Sequence, residues 1–132
     1  MRTTRFTLLY WLLSVSAFSI QAAEPLVEGS WFRVFKHDNG SESYIERESI
    51  RDNGEYFEYL SYTDLLIAEA VSLSRINCKT RKQATVAVQY VHTYIEKPSF
   101  GPYKEPKWRP IPPGSMGEAA LNYLCTTNHQ HE

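Results

Sequence analysis

A chain of 132 residues with a formal net charge of −1, 42% hydrophobic and 22% charged residues is sized for one small domain. Its composition excludes both a disordered polyelectrolyte and a multi-span membrane protein. The near-neutral balance also lacks the whole-molecule positive field that draws proteins onto phosphate backbones, so no nucleic-acid partner is expected.

In chain order, the first predicted element is a leader. Arg2 and Arg5 precede an apolar run from Phe6 to Phe18, and Ala22 and Ala23 follow it just ahead of Glu24 and Pro25. That layout predicts a secretory signal over residues 1–22, cleaved after Ala22 or Ala23. The run is shorter than the roughly 20 apolar residues that cross a bilayer, so no membrane span is expected. Without Arg2 and Arg5 the chain keeps 12 basic against 15 acidic residues, a net charge of −3. The cysteines are Cys78 and Cys125. Neither stands at the cleavage point, so acylation as a lipoprotein is not expected, and the exported chain is placed in the periplasm or outside the cell. In an oxidising compartment two cysteines read as one disulfide, Cys78 to Cys125. Closing a loop of 47 residues contributes about 4 kcal/mol in the chain-entropy model. No CxxC or Cys/His spacing accompanies either residue, so no metal or cofactor is expected.

Residues 30–95 are rich in aromatic and β-branched types in short runs, which predicts strands at about 30–37, 42–50 and 55–63 and then at 69–78 and 83–95. Asp38-Asn39-Gly40 and Asp52-Asn53-Gly54 are hairpin signals, because Asn-Gly suits the two positive φ angles of a type I′ turn. In 83–95 both faces are half apolar, and Val71 and Leu73 differ in parity from Ile76 and Cys78. A bulge or register shift is therefore expected near Ser74. Residues 96–114 hold six of the seven prolines and predict an extended crossover rather than a helix or a central strand. Ser115 with Glu118 forms a capping box for a helix over about 116–125. Its apolar stripe of Met116, Ala120, Leu121, Leu124 and Cys125 would face the sheet, so the disulfide staples helix to sheet. The predicted fold is α+β: a curved antiparallel sheet of five to six strands with one C-terminal helix packed on it, and a flexible tail over 126–132. A ten-residue helix is too short to cover such a sheet, so either the proline-rich crossover covers the rest with Phe100, Tyr103 and Trp108, or an apolar face stays open to serve a ligand or a homodimer, with Val91 and Ile95 as the positions to test.

No catalytic set is expected. Ser115 lies in Gly-Ser-Met-Gly after a proline run, which is not a nucleophile elbow. His92 has no pattern pairing it with a carboxylate and a nucleophile, and His129 and His131 fall in the terminal tail. Charge is more telling. Arg75, Lys79, Arg81 and Lys82 gather around Cys78 with no acid between Val71 and Ile95, whereas Glu42, Glu46, Glu48, Asp52, Glu55 and Glu58 crowd the second and third strands. The basic strand and turn is the candidate ligand-binding patch, for an acidic ligand.

The run Lys107-Trp108-Arg109-Pro110-Ile111-Pro112-Pro113-Gly114-Ser115 leading to Leu124-Cys125 resembles the C-terminal signature of the bacterial surface-adhesin protein E family. Trp31, Tyr44-Ile45, Ser49-Ile50, Tyr62-Thr63-Asp64 and Asn77-Cys78-Lys79 agree with it, and the resemblance spans about 29–125. It implies a curved antiparallel sheet with a disulfide-tied C-terminal helix, in which Trp108, Pro110, Pro112, Pro113 and Ser115 are architectural. It further implies a non-enzymatic adhesin for extracellular-matrix or serum glycoproteins; the basic strand and turn in an exported chain leaves an envelope component as the other expected partner. The alternative reading is a periplasmic structural or accessory protein that acts by homodimerising. Two departures from the family pattern are Asn77 in place of an acid and the lack of a tryptophan in the third strand.

Overall fold

The computed structural model describes residues 25–126, apart from 66, 67 and 104. The predicted leader over 1–22, together with His129 and His131, lies outside the described residues. Among the described residues, seven strands form one open antiparallel sheet in the order β1-β2-β4-β5-β6-β7, with β3 paired to the first residues of β4. They are β1 (Trp31–Lys36), β2 (Glu42–Glu46), β3 (Arg51–Asp52), β4 (Phe57–Asp64), β5 (Glu69–Asn77), β6 (Lys82–Val91) and β7 (Arg109–Pro110). One helix follows, α1 (Met116–Thr126); Thr126 closes this helix, its hydroxyl donating to the Asn122 carbonyl.

The hairpins form where the Asn-Gly pairs predict them, but not as type I′ turns. Only Gly40 (φ 88°) and Gly54 (φ 93°) are left-handed there, Asn39 and Asn53 keeping negative φ. In the first loop the His37 N–H reaches Ser41 O at 2.8 Å and the Gly40 N–H reaches His37 O at 2.9 Å, the three-residue connection that ends in a left-handed glycine. In the second, the Asn53 side-chain oxygen accepts the N–H groups of Glu55 and Tyr56. Asparagine acts here as a side-chain mimic of a backbone turn rather than as a positive-φ residue.

The strand predicted over 42–50 is split by one 3-10 turn, Arg47–Ser49. The Glu46 carboxylate accepts the N–H groups of Ser30 and Glu48, each at 3.0 Å. The Ser49 hydroxyl donates to Glu46 O at 2.7 Å and accepts the Leu60 N–H at 2.8 Å. These side chains supply the bonds that a continuing ladder would have supplied, so β3 emerges re-aimed onto the first residues of β4.

The expected irregularity is present between Leu73 and Ser74: Leu73 pairs with Ala87 but Ser74 pairs with Thr85, leaving Val86 as the extra residue on β6. Ala84 therefore stands beside Arg75 while Val88 stands beside Ser72, on the opposite face, which resolves the mixed pattern of that strand. β6 stops at Val91, short of the predicted 95. The chain then turns so that Ile95 bridges Val27 in parallel, with the Ile95 N–H on Leu26 O at 2.7 Å.

Two clusters hold the sheet, one on each face. On the helix side Ala120, Leu121 and Leu124 pack onto Ile45, Phe57, Tyr59 and Ile76, and Tyr123 stacks on Phe32 with centroids 5.0 Å apart. Cys78 and Cys125 are bonded, with Cα atoms 5.8 Å apart, so the staple joins the end of β5 to the last turns of α1. On the other face Val27, Tyr62, Val71 and Val91 pack with Leu26, Trp31, Ile95 and Phe100. Of the two alternatives for the remaining sheet surface, coverage by the crossover holds at Phe100 but not at Tyr103, which is exposed; with residues 26–31 it closes this face, where Val91 is buried and Ile95 half-buried. The apolar side chains left exposed on β6 are Val88 and Tyr90.

Candidate functional site

β5 and β6 are joined through residues 78–81, and the Asn77 side-chain oxygen organises the turn by accepting the N–H groups of Lys79 and Thr80 at 3.0 and 3.1 Å. Arg81 closes it at φ 54°, a left-handed conformation that is uncommon for a residue with a Cβ. The Arg81 carbonyl accepts the Ile111 N–H, so β7 is anchored to the same turn. Lys79, Arg81 and Lys82 are exposed, and among the described residues none of them forms a salt bridge.

Arg75 is set apart from these three. Its Nε donates to Glu58 Oε2 at 2.8 Å across the β4–β5 pair, and its guanidinium lies 4.7 Å from the centre of the Tyr56 ring. Both its charge and its planar face are engaged, and Trp108 packs against the same Tyr56 ring in a tilted contact, centroids 5.7 Å apart. The four cations that read as one patch in the sequence are therefore one structural residue and three exposed ones.

Sequence reasoning missed Lys107 and Arg109, which sit inside the signature run but carry no role in the reading of it. β7 places Arg109 opposite Gln83 and Pro110 opposite Lys82, so the cations of the crossover adjoin the basic turn. Lys107 and Arg109 line a cleft of about 600 Å³ with Gln83, Ala84, Thr85 and Glu105. The only signal for this was the two-residue spacing of the cations, which puts both on one side of an extended chain.

The Ser115 hydroxyl accepts the Glu118 N–H at 3.2 Å and donates to Pro112 O at 2.6 Å. The Glu118 carboxylate returns to the Gly114 N–H at 3.4 Å, one residue earlier than a standard capping box. Pro113 is exposed beside Gly114, whose φ is 70°. His92 is exposed beyond the end of β6.

The acidic strands are largely spoken for. Glu42 bonds Arg33 Nη1 at 3.0 Å and accepts the Tyr44 hydroxyl at 2.5 Å. That carboxylate acceptor, reinforced by desolvation, pushes the Tyr44 hydroxyl up to about 12. The same hydrogen bond holds the Glu42 carboxyl below its ordinary value. Glu46 is buried among backbone donors and Glu58 is paired with Arg75. A serine-histidine contact exists, His37 Nε2 to Ser43 Oγ at 2.8 Å, continued to Thr63 Oγ1 at 2.9 Å. Ser43 is fully buried, so its hydroxyl serves packing of the first hairpin rather than nucleophilic attack. Among the described residues no helix is long and apolar enough to cross a membrane.

Comparison with curated proteins and with solved structures found no significant match. The family model of surface-adhesin protein E matches residues 31–126, from the first residue of β1 to the last of α1. With the stapled helix, the disulfide of an exported protein and the signature run all in place, the chain belongs to the surface-adhesin protein E family.

Proposed function

We propose that this protein is an exported, non-enzymatic binding domain, periplasmic or secreted, that contacts acidic segments of an extracellular-matrix or serum glycoprotein or of an envelope component. The observation that carries this reading is the exposed trio Lys79, Arg81 and Lys82, held on an ordered turn and unpaired with any acid among the described residues. An exposed cation that is not neutralised internally keeps its field for a partner. Arg109, delivered next to the turn by β7, widens the patch, whereas Arg75 is excluded from it by its bond to Glu58.

The test is a salt-titrated binding assay on immobilised matrix glycoproteins and envelope fractions, run beside protease accessibility on intact producing cells. Affinity should fall as ionic strength rises, because exposed charges are screened beyond about 8 Å at physiological salt. Replacing Lys79→Ser, Arg81→Gly and Lys82→Ser together should weaken binding at least tenfold with no loss of melting temperature, glycine suiting the left-handed φ at 81. Unchanged affinity in that variant rejects the patch.

A further inference from the structure

β6 has one ladder too few. It runs from Lys82 to Val91, with β5 along its whole inner side, but β7 pairs only with Lys82 and Gln83. From Ala84 onward no backbone hydrogen bond among the described residues reaches its outer side. The Arg81 carbonyl points toward β7, since it accepts the Ile111 N–H. The period of two then turns the backbone groups of Gln83 and Thr85 outward as well.

Edge strands of soluble proteins are normally blunted by charges or prolines, and this one is not. Residues 84–91 contain no charged residue and no proline. The crossover does not close the gap either. It is tied to β6 at Gln89, whose side-chain Oε1 accepts the Ser99 N–H at 2.8 Å, but stands off from the edge before that point, leaving a furrow lined by Thr85, Val86, Ala87 and Val88 on one side and Gly101 and Pro102 on the other. At Thr85 the furrow meets the cleft holding Lys107 and Arg109.

We propose that the outer edge of β6 from Thr85 to Val91 accepts an extended segment of a partner protein as an added antiparallel strand, with acidic side chains at that segment's C-terminal end against Lys107 and Arg109. This shares Arg109 with the basic-turn reading but does not rest on that reading's trio, because Lys79, Arg81 and Lys82 line neither the furrow nor the cleft. The direction follows from β7, whose numbering rises as that of β6 falls, so an incoming antiparallel strand ends near Thr85. Seven residues of edge span roughly 23 Å, enough for a recognition segment of seven to nine residues. Glu105 shares the cleft with the two cations, so the local charge remains positive and an acid facing Lys107 and Arg109 is matched. Val88 and Tyr90, 46% and 64% exposed, offer apolar contact to alternate side chains of the added strand.

The probe is the synthetic peptide Thr-Val-Thr-Val-Tyr-Val-Asp-Asp, followed by fluorescence anisotropy and by amide hydrogen exchange of the full chain. Binding should be saturable, should slow exchange at Thr85, Val88 and Tyr90, the outward amides on either side of the extra residue Val86, and should weaken about tenfold in the Lys107→Ser, Arg109→Ser double variant. A peptide N-methylated at the amides facing the edge should lose binding, and Val88→Lys should weaken it at unchanged melting temperature. The proposal is overturned by absence of peptide binding or by equal binding of the N-methylated peptide. It is overturned too by equal binding of a peptide with its aspartates moved to the N-terminus. Protection of Thr85 to Val91 that rises with protein concentration and persists at peptide excess would assign the edge to a second copy instead.

Discussion

Glu69 shows how a single side chain can tie a terminus to a sheet and carry a pH signature. Its Oε2 accepts the Leu26 N–H at 2.8 Å, fixing the segment that covers the outer face. Desolvation raises its carboxyl above the ordinary value, and the backbone bond only partly opposes this. The folded state therefore holds the proton more tightly than the unfolded one. The stability this provides is present at acid pH and is lost as pH rises through the window just above the usual carboxylate range. Glu69→Gln keeps an oxygen for Leu26 while removing the charge. Its melting temperature should lose that part of the pH dependence and should equal or exceed the parent's at neutral pH, as read from thermal scans between acid and neutral pH.

The helix is an element that cannot stand alone. Eleven residues are too few for a stable isolated helix in water, so α1 persists through its cap, its buried stripe and the disulfide. Cys78→Ser with Cys125→Ser should cost about 4 kcal/mol, the value expected for a loop of this length. Leu124→Ala, at a fully buried position, should cost about 3 kcal/mol through lost transfer energy and a cavity. Urea titration of both variants reads these losses directly. Strand elements were legible to the extent that their bonds are backbone bonds. The hairpins at Gly40 and Gly54, the bulge near Ser74 and the helix start at Ser115 were all foreseeable from local chemistry. The break at Arg47–Ser49 was not, because it depends on Glu46 meeting the Ser30 N–H across the sheet. β7 was hidden for a related reason: a proline beside an arginine reads as coil until an edge is supplied for it.

At the scale of the molecule, the two clusters divide the domain into two halves of unequal dependence. The inner cluster is closed by α1 and the staple, the outer by residues 26–31, Ile95 and Phe100. Reduction should release the first closure and leave the second. Hydrogen exchange under mild reductant should therefore show α1 and the end of β5 losing protection while amides around Tyr62 and Val71 keep theirs; simultaneous loss would mean a single cooperative core. The candidate site shows the same limit as the fold. Proximity in sequence grouped Arg75 with Lys79, Arg81 and Lys82, yet cross-strand pairing gave Arg75 to Glu58 and brought Arg109 in its place.

The position of the staple also orders events in time. Cys78 directly follows β5 and Cys125 lies in α1, 47 residues later, so oxidation must wait until α1 has emerged on the oxidising side. Any stalled or clipped chain ending before α1 presents Cys78 as an odd thiol beside an uncovered apolar sheet, open to thiol exchange. The bond thereby acts as a receipt for a complete fold: only a domain that has its α1 can retire its own reactive sulfur.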